Sequence, residues 1–186
     1  MTSYSLLVFA HIAAAFFLFA GLLLESVVIG FLRRNPDLAS FRGWARIFSL
    51  APVLYGPALG VILLSGGYLG AQMSSWGQGW IRVSFFTLFV IGAIGSIFTS
   101  RRTKAIRRLI AEGSDTTTAI LQNKLHDPVL LASVRIRIAL VFGVLLLMVS
   151  KIALVPSIAI IAVAFAFGVV AALPAWKKSE QTHSAT

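Results

Sequence analysis

Cysteine is absent from this 186-residue chain. That excludes disulfides, thiolate metal sites and cysteine nucleophiles. Charge is scarce as well. Charged residues make up 12% of the chain, where a soluble domain carries roughly 25%. Acidic residues are the rarest, with 6 Asp and Glu against 16 Lys and Arg. So few charges leave no water-facing surface for a conventional core, and the bilayer must be the solvent for most side chains. Met1, Met73 and Met148 make no thioether cluster for copper. There is no Gly-rich phosphate loop followed by Lys-Ser/Thr, no His-Glu-x-x-His and no Ser-His-Asp set. The segment Met1–Ser5 carries no Lys or Arg. The positive region of a cleavable signal is therefore missing, and a retained first span is expected.

What is present is apolar. Hydrophobic residues make up 58% of the chain, and the mean hydropathy is +0.91. Five runs are long enough to cross a bilayer. The first is expected from Tyr4 to Leu32, ended by Asn35-Pro36-Asp37. The second covers Ile47 to Leu69 and contains Pro52, Gly56-Pro57, Gly60 and Gly66-Gly67. Its Tyr55-Gly56-Pro57 reads either as a kink with close packing or as opened backbone lining a cavity. The third runs from Trp80 to Ser100. The fourth has its apolar part from Ile138 to Val155, with Arg135 and Arg137 just before it and a tight turn at Pro156-Ser157. The fifth ends near Trp176.

Between spans three and four lies a connector over residues 101–130. Ile106, Leu109 and Ile110 recur at helical spacing among Arg101, Arg102, Lys104, Arg107 and Arg108, which predicts an amphipathic surface helix. Gly113 is read as its end, and Ser114 or Asp115 as the cap of a short helix to follow. Asp127-Pro128 reads as an N-cap followed by proline at the first helical position. The expected organisation is all-α: one transmembrane helical domain over residues 1–176, four core spans plus one, and a disordered tail over residues 177–186.

The basic residues fall on alternate sides of the runs. All but Arg82 and Lys151 lie after span one, after span three or in the tail. The positive-inside rule then puts the N-terminus outside and the C-terminus in the cytoplasm of a bacterial inner membrane. Trp76 and Trp80 fall at the outer boundary, Trp44 and Trp176 at the inner one, as an aromatic belt requires. The net charge of +10 crowds beside the apolar runs. It suits anionic lipid headgroups and gives no sign of nucleic-acid binding.

Four ionisable residues lie within the spans: His11, Glu25, Arg82 and Lys151. Such groups are costly in a membrane and count as site candidates. His11, Arg82 and Lys151 share the expected outer leaflet, where three cationic groups would attract an anion. Each also has a plain reading. Arg82 and Lys151 reach the headgroups by snorkelling, and His11 hydrogen-bonds a Ser or Thr of a neighbouring helix. Glu25 is the only acidic residue in any span. Arg46, Arg135 and Arg137 are its candidate partners in a structural ion pair, and a proton-relay carboxylate is the alternative. His126 and His183 fall in the connector and tail, so neither can pair with His11 across a buried haem.

The opening from Leu6 to Ala15, with His11, Gly21 and Arg33-Arg34, resembles the first span of small bacterial membrane proteins of the copper-resistance-D-like superfamily. The end of span four, Leu146 to Lys151, is similar too. The nearest likeness is to an uncharacterised family of predicted integral membrane proteins, over residues 4–151. The resemblance implies that His11 matches a first-span histidine and Lys151 a lysine ending the last shared span. Characterised relatives include copper-uptake proteins and a haem-binding protoporphyrinogen oxidase. This chain lacks their further intramembrane His and Met residues.

Three functional expectations follow. One is a small lipophilic or anionic ligand held in the outer leaflet by His11, Arg82 and Lys151. A second is a haem-b redox protein with His11 as axial ligand and Lys151 as the other axial group or a substrate acid. The third is a non-enzymatic assembly subunit, joining a membrane partner or further copies through small-residue faces such as Gly92, Gly95 and Ser96.

Overall fold

The computed structural model describes residues 2–34, 38–73, 75–99, 108, 125 and 127–183. Among these residues, five helices long and apolar enough to span a membrane form an all-α bundle. They are α1 (Ser3–Arg34), α2 (Leu38–Gln72), α3 (Gly79–Ile94), α4 (Pro128–Ser150) and α5 (Leu154–His183). A 3₁₀ turn, Ser75–Gly77, precedes α3, and a π-helical turn, Gly95–Thr99, extends it. The amphipathic connector helix, its end at Gly113 and its following cap lie outside the described residues.

The helices alternate in direction, so the bundle has two distinct ends. The arginine end collects Arg33 and Arg34 and the starts of α2 and α4. The turn end holds Trp76, Trp80 and the α4–α5 junction. Three pairs fix the α1–α2 register. Phe31 stacks on Trp44 with centroids 4.4 Å apart. Gly21 lets the Tyr55 backbone approach, since a Cβ there would lie 3.1 Å from Tyr55 N. His11 meets Ser65. Each step of ten residues down α1 is matched by about ten up α2, as antiparallel helices require.

Two apolar cores are stacked along the bundle. The one at the arginine end joins Val28, Leu32, Phe48, Leu130 and Val134. The one toward the turn end joins Leu18, Leu22, Ile62, Leu88 and Leu140. The large side chains outside them, such as Phe9, Phe16, Phe86 and Val149, are exposed and cover the bundle's lipid-facing surface. Half of α4's most apolar stretch is buried against 11% of α5's. So α4 is central and α5 is peripheral, an added span on a four-helix core.

Local chemistry explains the boundaries. Asp127 caps α4 by accepting from Val129 N–H at 2.9 Å, with Pro128 opening the helix as expected. Asp127→Ala is expected to lower stability by about 1 kcal/mol, checked by thermal unfolding in detergent. Helix α2 stays helical through both Pro52 and Pro57, so the backbone is not opened there. The fourth span ends at Ser150 rather than Val155, and the turn falls at residues 151–153 rather than at Pro156-Ser157. Pro156 sits in the first turn of α5, where a missing N–H leaves no bond unmade. Helix α5 runs to His183, so the tail expected to be disordered from Lys177 is helical that far. Lysine, glutamate and glutamine propagate a helix already nucleated in the membrane.

Candidate functional site

At the turn end the structure separates the three cationic candidates. His11 Nδ1 lies 2.9 Å from Ser65 Oγ. The Ser65 hydroxyl donates its proton to the Val61 carbonyl, so Nδ1–H must donate to Ser65. Gly66 makes room for this, because a Cβ there would sit 3.0 Å from His11 Cε1. The cavity beside His11, bounded by Leu18, Ile62, Leu88, Val144 and Met148, measures about 30 Å³. That is space for one water, and ligand cavities run from about 300 Å³ upward. The geometry here lends the haem expectation no support.

Arg82 is exposed on α3 and donates from Nη2 to the Gly77 carbonyl at 3.0 Å. Lys151 lies beyond the end of α4 rather than a turn inside it. It is exposed and caps the helix in the left-handed conformation, φ 48°, with its N–H on the Leu147 carbonyl. No described cavity or polar contact joins any two of His11, Arg82 and Lys151.

Arg82 lines a different feature, a groove of about 560 Å³ between α3, α4 and α5. Phe86, Leu140, Ile158 and Phe165 make its walls, and among the described residues Arg82 is the only charged one lining it. The one other polar side chain there, Thr87, donates its hydroxyl proton to the Val83 carbonyl.

A fully buried pair of charges lies at mid-bundle, between the two apolar cores. Glu25 of α1 and Arg137 of α4 form an ion pair, Oε2 to Nη2, at 2.9 Å, with both side chains 1% exposed. Glu25 stands nine residues from the end of α1 and Arg137 nine from the start of α4, about 13 Å in from the arginine end on each helix. Equal depth lets the charges meet. Arg137 Nε donates to the Ser133 carbonyl, and its guanidinium lies 5.5 Å from the Tyr55 ring centroid. Gly95, where the π-turn starts, leaves room for it: a Cβ there would lie 3.2 Å from Nη1. Four helices thus converge on one guanidinium. Glu25 Oε1 is buried without a hydrogen-bond partner. Arg137 is one of the three partners expected for Glu25, and Arg135 points elsewhere, donating to the Ala171 carbonyl of α5.

Sequence reading placed Arg137 before the fourth span and missed Tyr55 and Gly95 as its neighbours. A signal was available. The cap at Asp127 starts the helix early enough to carry Arg137 about two and a half turns inside. Of the small-residue face, Gly92 packs against Leu59 and Gly95 against Arg137, both within the chain. Gly56 and Gly60 meet nothing within 4 Å. Among the described residues no group of three His, Cys, Asp or Glu is placed to hold a metal ion.

The molecule is a multi-pass integral membrane protein with an ion pair buried in its core. The chain belongs to the family described as "Predicted integral membrane protein (DUF2269)", whose model matches residues 5–152. That match covers α1 to α4 and stops at the turn before α5. No curated protein and no solved structure matches the chain.

Proposed function

We propose that this protein binds an amphiphile with an anionic head in the groove between α3, α4 and α5, at the outer leaflet of a bacterial inner membrane. One observation carries the reading: an apolar groove of about 560 Å³ has a single cation, Arg82, and it stands at the turn end. The excess of Lys and Arg at the opposite end supports placing that end in the cytoplasm and the N-terminus outside. Arg82 uses one N–H on Gly77 and keeps other donors for an anion. The apolar walls suit an acyl or prenyl chain. His11 and Lys151, expected to share the site, do not line this groove. Their part in the proposal narrows to holding the α1–α2 contact and the α4–α5 turn.

A charge-assisted hydrogen bond contributes about 1.5–3 kcal/mol, roughly ten-fold or more in Kd. Arg82→Gln is therefore expected to weaken binding of a fluorescent long-chain fatty acid by at least about ten-fold. A chain of the same length with a neutral alcohol head is expected to bind both proteins alike. Equal affinity of the fatty acid for Arg82→Gln and the unaltered protein would remove the proposal.

A further inference from the structure

The arginine end of the α1–α4 seam holds a second cavity, of about 410 Å³. Arg33 and Arg34 of α1 and Arg135 of α4 line it, with Ser26, Gly30 and Leu131 among the remaining walls. Among the described residues no carboxylate lines it. Arg33 is half-buried, and its Nε is buried without a hydrogen-bond acceptor. Arg135 is fixed from the far side by the Ala171 carbonyl. Two unfavourable features therefore coincide: like charges share one cavity, and a desolvated N–H has no acceptor. A multivalent oxyanion relieves both. The guanidinium fork matches phosphate geometry, which gives short charge-assisted bonds. Depth agrees, because Arg33 and Arg34 close α1 where its apolar run ends, at the level of lipid headgroups. Space agrees too, since a Cβ on Gly30 would meet nothing within 4 Å.

We propose that this cavity binds a phosphate group, with Arg33 and Arg135 as its principal donors and Arg34 closing the mouth. Two sources offer that group at this level: the phosphodiester of an anionic lipid and phosphate free in solution. The site is separate from the Arg82 groove in residues and in end of the bundle.

The test uses the full chain, delipidated in detergent and titrated by native mass spectrometry with phosphatidylglycerol, phosphatidylcholine or inorganic phosphate. One phosphatidylglycerol is expected to bind at least about ten-fold more tightly than phosphatidylcholine. The titrations are made in an Arg82→Gln background, which disables the groove of the proposed function, and there Arg33→Gln with Arg135→Gln is expected to abolish that preference. Gly30→Leu keeps all three arginines and fills the cavity, so it is expected to lose the same preference while melting at or above the parent temperature. It decides the matter if the double variant does not fold. Inorganic phosphate binding that depends on the same residues, without lipid preference, assigns the site to a solution anion and upholds the phosphate assignment. Phosphatidylglycerol or phosphate bound equally by the parent and the Gly30→Leu variant overturns it.

Discussion

Glu25→Leu is expected to destabilise the bundle by about 3–5 kcal/mol, and adding Arg137→Met is expected to recover most of that loss. The asymmetry comes from desolvation. The pair is 1% exposed on each side and 2.9 Å apart, so each charge depends on the other to offset its removal from water. Deleting the carboxylate leaves a guanidinium in the apolar interior. The Ser133 carbonyl and the Tyr55 ring beside it are neutral and carry no compensating charge. Replacing both partners with apolar groups removes the charge altogether and joins the two cores above and below. Reversible unfolding of the two single variants and the double, in detergent, gives the full cycle. A single variant as stable as the parent would show that the pair is not desolvated. A double variant as unstable as Glu25→Leu would show that Arg137 acts through its other contacts. Glu25→Gln adds a finer probe, since it keeps the hydrogen-bonding shape around the unpartnered Oε1 while removing the charge.

The sequence makes the number of spans legible, because twenty apolar residues have few other uses. It also makes depth legible: counting along a helix places Glu25 and the arginines near one level. Azimuth is another matter. His11, Arg82 and Lys151 have similar expected depths, yet His11 turns toward α2, Arg82 lines the α3–α4–α5 groove, and Lys151 caps the end of α4. Which way a residue faces depends on which helices pack beside it, and that is tertiary information. The start of α4 shows the same limit. Its apolar density begins at Ile138, but the helix begins at Pro128. Arg137 is tolerated inside because Glu25, 112 residues away, supplies the opposite charge. The Arg33–Arg34–Arg135 cavity was hidden for the same reason: each arginine reads alone as a boundary charge.

Gly79→Val is expected to cost well over 1 kcal/mol and to pry α5 away from α3, while Gly60→Ala is expected to be neutral or stabilising by up to about 1 kcal/mol. The substitutions are similar in kind, and the surroundings set the sign. A Cβ on Gly79 would lie 2.3 Å from Leu154 Cα and 2.4 Å from Leu154 N. These are backbone atoms at the first residue of α5, so no rotamer change can relieve the overlap, and the helix ends must separate. A Cβ on Gly60 meets nothing within 4 Å, so only the gain in helix propensity remains. The consequence for the groove follows from the spacing. Arg82 lies three residues beyond Gly79, and Ile158 lies four beyond Leu154. Separating the helix ends thus widens the upper lip, where the anionic head is proposed to sit. The absence of native cysteine makes this measurable. With cysteines introduced at Val83 and Ile158, which line opposite sides of the groove, Gly79→Val is expected to slow disulfide cross-linking, and Gly60→Ala to leave it unchanged. Unaltered cross-linking and melting in Gly79→Val would mean that the α3–α5 contact does not set the groove's width.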